Sequence, residues 1–327
     1  MFLNHDHRTR GPRALLLTLL LAGVVLAVPS EGVWAAGAAK QKAFPSPEDA
    51  VRSLMDALKA NNDFALLEIF GPGSDDLIQS GDPVLDDEER ARFREAYDQA
   101  HRLVLEKEDR VALHVGKEDW PVPIPIVKEG NLWRFDTDEG KEEILNRRIG
   151  RNELSVIQAC LAYVDAQREY ATKDRDKDGV LEYAQRFASS PGKKDGLFWE
   201  AKQGERPSPL GPLVAQAVVE GYKKGEEGKQ AQGQTLVPYH GYYYKILKAQ
   251  GKNAPGGAYD YVVKGKMIGG FALVAWPAKY GASGIMTFMV NHDGVVYEKD
   301  LGPQTASIAS PTARFDPDHT WKKVEPK

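Results

Sequence analysis

The chain has 327 residues, of which 42% are hydrophobic and 28% charged, and its formal net charge is −4. This balance is typical of a globular protein with two ordinary domains, and it excludes the basic excess of a nucleic-acid-binding protein. The single cysteine, Cys160, excludes an intramolecular disulfide and a cysteine-rich zinc site. Because Cys160 falls in a predicted helix beside Leu161, we expect a buried thiol.

Residues 1–36 have the features of an export signal. Arg8, Arg10 and Arg13 form a basic segment, and the run at 14–28 is apolar and uncharged but short for a membrane span. Small residues around position 36 suit a cleavage site, and an uncleaved membrane anchor is the alternative interpretation. We therefore expect a periplasmic or secreted protein that contacts the membrane only through this segment, if it stays uncleaved.

The first predicted domain covers residues 44–150. Ser46 as N-cap and Pro47 in the first helical position predict a helix start, and the pair Asp86 and Glu89 predicts a second. Strand-like segments follow at 111–115, 120–127 and 131–135. This order resembles the cystatin-like and nuclear-transport-factor-like folds, in which helices close one side of a bent sheet. The resemblance implies a fold with an internal pocket and no particular activity.

The second predicted domain covers residues 151–302, followed by a polar tail at 303–327 anchored by Trp321. A helix over 152–171 carries an apolar stripe at helical spacing, which consists of Leu154, Ile157, Leu161 and Val164. After a charged stretch at 221–234, apolar segments separated by tight turns predict an antiparallel sheet. Its strands are expected at 242–247, 259–263, 271–276, 285–290 and 295–298.

The predicted fold class is therefore α+β: a cone-like domain of helices and a curved sheet, then a long helix packed on an antiparallel sheet. The segments APGGAYDYVV, MIGGFALVAWPAKYG and TFMVNHDGVVYEKDLG carry a resemblance to an uncharacterised family of exported bacterial proteins, known only as a domain of unknown function. That resemblance implies no activity and no catalytic residues.

The long helix and the sheet also resemble the globular heads of type II pseudopilins. The resemblance rests on Ala159, Tyr163, Ala166, Gln167, Tyr170 and Ala171, and on the later Ala275, Pro277, Gly281, Gly284, Asp293 and Gly294. Pilins carry a hydrophobic stem directly continuous with that helix. Here a whole domain separates the signal from the helix, which argues against assembly by the pilin route.

Alternating carboxylates form a candidate calcium site. Asp174, Asp176 and Asp178 precede Gly179 as in the first half of a calcium-binding loop, and Glu182 takes the ninth position. Gln185 stands at the twelfth position, where a bidentate glutamate belongs. The candidate ligands are therefore Asp174, Asp176, Asp178 and Glu182, calcium is the one candidate cofactor, and a solvated turn is the alternative.

No pattern in the sequence predicts a catalytic centre. The histidines are scattered and form no H-E-x-x-H motif, the GASG segment at 281–284 lacks the spacing of a nucleophile elbow, and phosphate-binding glycine loops are missing. A concentration of tyrosines at 239–261 suits contact with a glycan or a protein, unless the sheet buries those rings.

These patterns favour a non-catalytic binding or cell-envelope structural module. Its expected partner is an envelope protein or a glycan, and neither nucleic acid nor nucleotide. Two alternatives remain open: a periplasmic hydrolase with a pocket in the N-terminal domain, and a component associated with secretion or pili.

Overall fold

The computed structural model describes residues 40–219 and 237–325. The predicted signal at 1–36 and the charged stretch at 221–234 lie outside the described residues. Within the described ranges, no helix combines the length and the apolar character that crossing a membrane would require.

Four helices open the described chain: α1 (Pro47–Lys59), α2 (Asp63–Phe70), α3 (Asp75–Ile78) and α4 (Pro83–Gln99). The Ser46 side chain accepts the amide of Asp49 at 3.1 Å, which confirms the predicted start of α1. The predicted cap at Asp86 is wrong, because Asp82 caps α4 and Pro83 is its first residue. Asp86 is instead buried, and its carboxylate accepts the amide of Ser80 at 3.1 Å.

A first antiparallel sheet follows these helices. Its strands are β1 (His101–Lys107), β2 (Arg110–Val115), β3 (Trp120–Pro121), β4 (Ile126–Glu129) and β5 (Leu132–Phe135), in the order β1-β2-β4-β5 with β3 beside β2. Apolar residues of α1, α2 and α3 pack with Leu113, Ile124, Ile126 and Phe135 in one hydrophobic cluster, the first core. The helices therefore cover this sheet, as the sequence predicts.

The long helix α5 (Thr137–Tyr170) has 34 residues and begins earlier than the predicted start at Asn152. It runs through the predicted boundary between residues 150 and 151. The first half of α5 is charged and contains Gly150, so its sequence does not predict a helix. Tertiary packing of Leu145 and Ile149 stabilises that half. The division into domains stays a prediction, because the two halves of the chain share this helix.

The predicted stripe on α5 is correct at the buried Val164 and the partly buried Ile157, and wrong at its two leucines. Leu154 is 52% exposed and Leu161 is 37% exposed. The buried face consists instead of Val156, Ala159, Cys160, Tyr163, Val164, Ala166, Gln167 and Tyr170. Two polar side chains sit on this face because both find partners: Tyr163 donates to the Ala272 carbonyl at 3.1 Å, and Gln167 bonds both backbone groups of Ala184.

The second half of α5 packs on a second antiparallel sheet. After α6 (Gly211–Val219) the strands are β6 (Tyr242–Leu247), β7 (Ala249–Gln250), β8 (Tyr259–Asp260), β9 (Val262–Val263), β10 (Lys266–Met267), β11 (Ala272–Pro277), β12 (Met286–Asn291), β13 (Val296–Asp300) and, after α7 (Thr305–Ala309), β14 (Lys322–Lys323). The main sheet has the order β14-β13-β12-β11-β6, and α5 lies against β11, β12 and β13. The α+β class and the long helix on an antiparallel sheet are confirmed.

The segment after residue 302 belongs to the fold. Phe315 is fully buried in a second hydrophobic cluster, the second core, and β14 extends the main sheet beside β13. Trp321 is only half-buried, so its prediction as the one large anchor of the tail is wrong. Phe315 was overlooked because polar neighbours surround it in the sequence.

Hydrogen bonds and an ion pair also join the first and second halves. The Asp82 carboxylate accepts the amide of Gly241 at 2.9 Å, and Asn152 donates to the Ser283 carbonyl at 2.9 Å. Lys279 Nζ lies 2.8 Å from Asp76 Oδ1. The second half of the chain is therefore fixed on the first through two buried hydrogen bonds and one exposed ion pair.

Candidate functional site

A cleft of about 770 Å³ lies between the end of α5, the segment 182–191 and the hairpin of β9 and β10. Charged side chains of both signs line it, and we call it the charged cleft. They are Asp176, Glu182, Arg186, Asp195, Lys248, Lys264 and Lys266. A cleft of this volume lies within the size range of small-molecule binding sites.

The acidic loop at one side of the cleft is folded by Asp174. Its carboxylate accepts the backbone amides of Lys177 at 2.7 Å and Gly179 at 2.8 Å. Gly179 has φ of 90°, in the left-handed region that glycine adopts without strain. The bond from Gly179 is the main reason that the pKa of Asp174 lies below its ordinary value.

The loop brings the three predicted aspartates together, and it adds a lysine that the sequence pattern did not indicate. Carboxylate oxygens of Asp174, Asp176 and Asp178 lie within 4.8 Å of one another. The ammonium of Lys266, on β10, lies 2.8 Å from Asp176 Oδ2, contacts Asp178, and lies 3.4 Å from Glu182 Oε1. The hydrogen bonds that Lys266 donates to Asp176 and Asp178 raise the pKa of Lys266, so these acids share one fixed internal cation.

Calcium at about 1 mM is expected to raise the melting temperature, since these oxygens suit a hard cation of weak affinity. Asp176→Ala should remove the rise, and Lys266→Met should enlarge it, because the ammonium competes for the same oxygens. Thermal melting with and without calcium measures both effects. Asp165→Ala, an exposed acid on α5, is the control. If neither the natural protein nor Lys266→Met responds, the calcium prediction is wrong.

The opposite side of the charged cleft is held by Asp195. Its carboxylate accepts the Ser190 amide at 2.7 Å and the Ser190 hydroxyl at 2.9 Å, and Arg186 donates to the same hydroxyl at 2.8 Å. Burial alone would raise the pKa of Asp195, but the bonds from Ser190 and the charge of Arg186 outweigh it and lower the pKa. The acid is therefore ionised and internally compensated.

An arginine that contacts two aromatic rings stabilises this side of the cleft. The Arg175 guanidinium lies 4.6 Å from the ring centroid of Tyr170 and 4.9 Å from that of Trp199. Tyr170 also donates to the Lys194 carbonyl at 2.9 Å, and burial raises its pKa to about 12. Tyr170 thus lines the cleft as a neutral phenol in a fixed position.

Two lysines of the cleft differ from Lys266. Lys248 and Lys264 are exposed, and no carboxylate in the described part of the chain forms an ion pair with either. Lys264 stands at the turn between β9 and β10 with φ of 51°. Each acid that lines the cleft has an ion-pair partner while these two amines have none, so the unpaired positive charge of the cleft lies on Lys248 and Lys264.

Half of the six tyrosines at 239–261 are buried side chains. Tyr242, Tyr244 and Tyr261 are buried in the second core, and Tyr259, at 37% exposure, is the most accessible of the set. Cys160 is buried as predicted, and burial raises the pKa of its thiol to about 12. The three buried rings and this thiol therefore serve as packing groups of one hydrophobic cluster.

The hydrolase alternative requires a pocket in the N-terminal domain, and a second cavity lies there, in the first core. Its described lining is aliphatic and aromatic apart from Asp86, Glu89, Arg90 and Arg148. Serine, threonine, cysteine, histidine and lysine do not occur among these described lining residues. The hydrolase alternative therefore stays a prediction, and Asp86 and Glu89 are the only groups of the described lining that could act as a nucleophile.

A family model described as "Protein of unknown function (DUF2950)" matches residues 41–324. The chain belongs to the DUF2950 family. This confirms the resemblance to a family of unknown function, and all residues of the charged cleft lie inside the matched range. No curated protein and no solved structure matches the chain, and the resemblance to pseudopilin heads is not confirmed.

Proposed function

We propose that this DUF2950 protein is an exported, non-catalytic binding module that takes an anionic polar ligand in the charged cleft. The observation that carries the proposal is the pair of uncompensated amines, Lys248 and Lys264. They line a cleft whose acids are already paired. An incoming anion would meet two unpaired ammonium groups there, whereas the carboxylates that line the cleft are held in ion pairs.

The hydroxyl groups of the cleft refine the ligand class. Tyr183 lines the cleft beside the charged side chains, whereas the hydroxyls of Ser189 and Ser190 are already bonded to Gly196 and Asp195. A phenol and amine groups together suit a ligand with its own hydroxyls and a carboxylate or phosphate. Export through the segment 1–36 would place the cleft among the glycans of the cell envelope. An acidic glycan is therefore the ligand that we propose.

Isothermal titration calorimetry with a uronic-acid trisaccharide, and with the neutral trisaccharide of the same linkage, tests this function. We expect the acidic sugar to bind about tenfold more tightly, because two exposed charge contacts contribute up to about 1 kcal/mol each. Raising the salt concentration to about 0.5 M should remove most of that difference, since exposed charges are screened.

The double variant Lys248→Gln/Lys264→Gln should lose the preference for the acidic sugar and keep its melting temperature, since both amines are exposed. Lys117→Gln, an exposed lysine in the turn before β3, is the matched control and should bind as the natural protein does. Equal binding of the two sugars, or an unchanged double variant, would contradict the proposed function.

A further inference from the structure

The cavity in the first core has a volume of about 150 Å³ and a closed apolar floor. Leu54, Leu66, Ile124 and Phe135 form that floor, and each is at most 3% exposed. An apolar pocket of this size between helices and a sheet, open on one side, can take an apolar group of matching size.

The mouth of the cavity is apolar as well. Phe70, Phe93, Val122 and Ile144 line it and are half-buried, so the cavity reaches the protein surface between α2, α4 and α5. A molecule can therefore enter without unfolding the core.

Charged side chains stand at one wall, but each is compensated by the protein itself. Arg148 donates to Glu89 at 2.8 Å and to the carbonyls of Asp76 at 2.8 Å and Leu77 at 2.7 Å. A ligand charge would therefore find no partner on Arg148.

The other two charged groups at this wall are paired in the same way. Arg90 lies 2.7 Å from Asp63 Oδ1 and donates to the Ile78 carbonyl at 3.0 Å. Asp86 accepts the Ser80 amide with both carboxylate oxygens. Each charged group at this wall therefore has a partner within the protein, and none is left to bind a charged ligand.

We infer that this cavity is a second binding site, which takes a neutral apolar group of about the size of a benzene ring. The volume sets the size, since cavities of roughly 150 Å³ lined by aliphatic and aromatic groups hold one such ring. The internal pairing of Arg148, Arg90 and Asp86 sets the neutrality. The inference does not rest on the charged cleft, which takes a ligand of opposite character.

Methyl NMR spectra of the full chain titrated with benzene test this site. We expect shifts in the methyl signals of Leu54, Ile124 and Ile144, and none in those of Ile246 and Val274 in the second core. Benzene near saturation should also raise the melting temperature by about 2–4 °C, whereas benzoate, with the same ring and one charge, should not.

A filling variant gives an independent check. Ile144→Phe places extra volume at the mouth and should abolish the benzene response. Leu154→Phe, on an exposed position of the same helix, should leave it intact. If Ile144→Phe fails to fold, the methyl titration of the natural protein still decides the question.

The source of the apolar group is decided by a third probe. A response to benzene alone indicates a free compact ligand, and a response to octyl glucoside as well indicates the alkyl end of an amphiphile; both support the site. No methyl shift with benzene, or an equal response to benzoate, overturns the inference whatever the charged cleft binds.

Discussion

Replacing Arg148 with methionine is expected to lower the free energy of unfolding by about 3 kcal/mol. The Arg148 side chain is 5% exposed, and its guanidinium satisfies Glu89 and two carbonyls at the end of α3. Methionine keeps the apolar stem and removes every donor. The loss should fall at the lower end of the range for a broken buried pair, because Arg151 also contacts Glu89 and keeps it partly compensated.

Urea denaturation measures this loss as a lower midpoint with an unchanged slope. Arg147→Met is the matched control, since Arg147 is the preceding residue of α5 and its side chain is 52% exposed. It pairs with Glu143 one turn earlier and lies over the Trp120 ring, contacts worth at most about 1 kcal/mol together. Equal losses in both variants would show that the buried network does not hold α3 against α5.

Alanine at Gly140 is expected to destabilise the protein by about 3 kcal/mol, although alanine is the better helix former. A Cβ atom at Gly140 would lie 2.3 Å from the Pro123 carbonyl oxygen and 2.6 Å from the Ile124 amide nitrogen. Both are backbone atoms of the segment that leads into β4, so neither can rotate away. The helix or the strand would have to move.

Gly150, in the same helix, provides the opposite case. Nothing lies within 4 Å of a Cβ atom built there. Gly150→Ala should therefore stabilise the protein by about 0.5–1 kcal/mol through helix propensity alone. Thermal and urea denaturation of the two variants should give changes of opposite sign. A neutral or stabilising Gly140→Ala would show that α5 does not approach residues 123–124 so closely.

Local signals in the sequence predicted several elements correctly. The cap at Ser46, the segment 242–247 that forms β6, and the turn at Asn291–Gly294 between β12 and β13 follow from groups within a few residues of one another. Strand β1 was not predicted because its sequence HRLVLEK is charged and largely exposed. Its strand structure is stabilised by antiparallel pairing with β2 and not by its own hydrophobic pattern.

In the candidate site, too, the sequence predicted the contacts between near neighbours and missed those between distant segments. The spacing of Asp174, Asp176 and Asp178 predicted that their carboxylates converge, and they do. The sequence could not indicate that Lys266 would lie among them, that Lys248 and Lys264 would line the same cleft unpaired, or that Asp195 would face them. Those residues come from separate segments, and only folding brings them together.

Composition, helix caps and turn residues thus determined the α+β class and the positions of most elements by themselves, because hydrogen bonds and backbone preferences act between near neighbours in the chain. Tertiary structure alone decided where α5 begins, which of its faces is buried, and that Phe315 closes the second core. It also decided which charges of the cleft are compensated. Each of these depends on contacts between residues far apart in sequence, whose free energy exists only once the helices and sheets have packed.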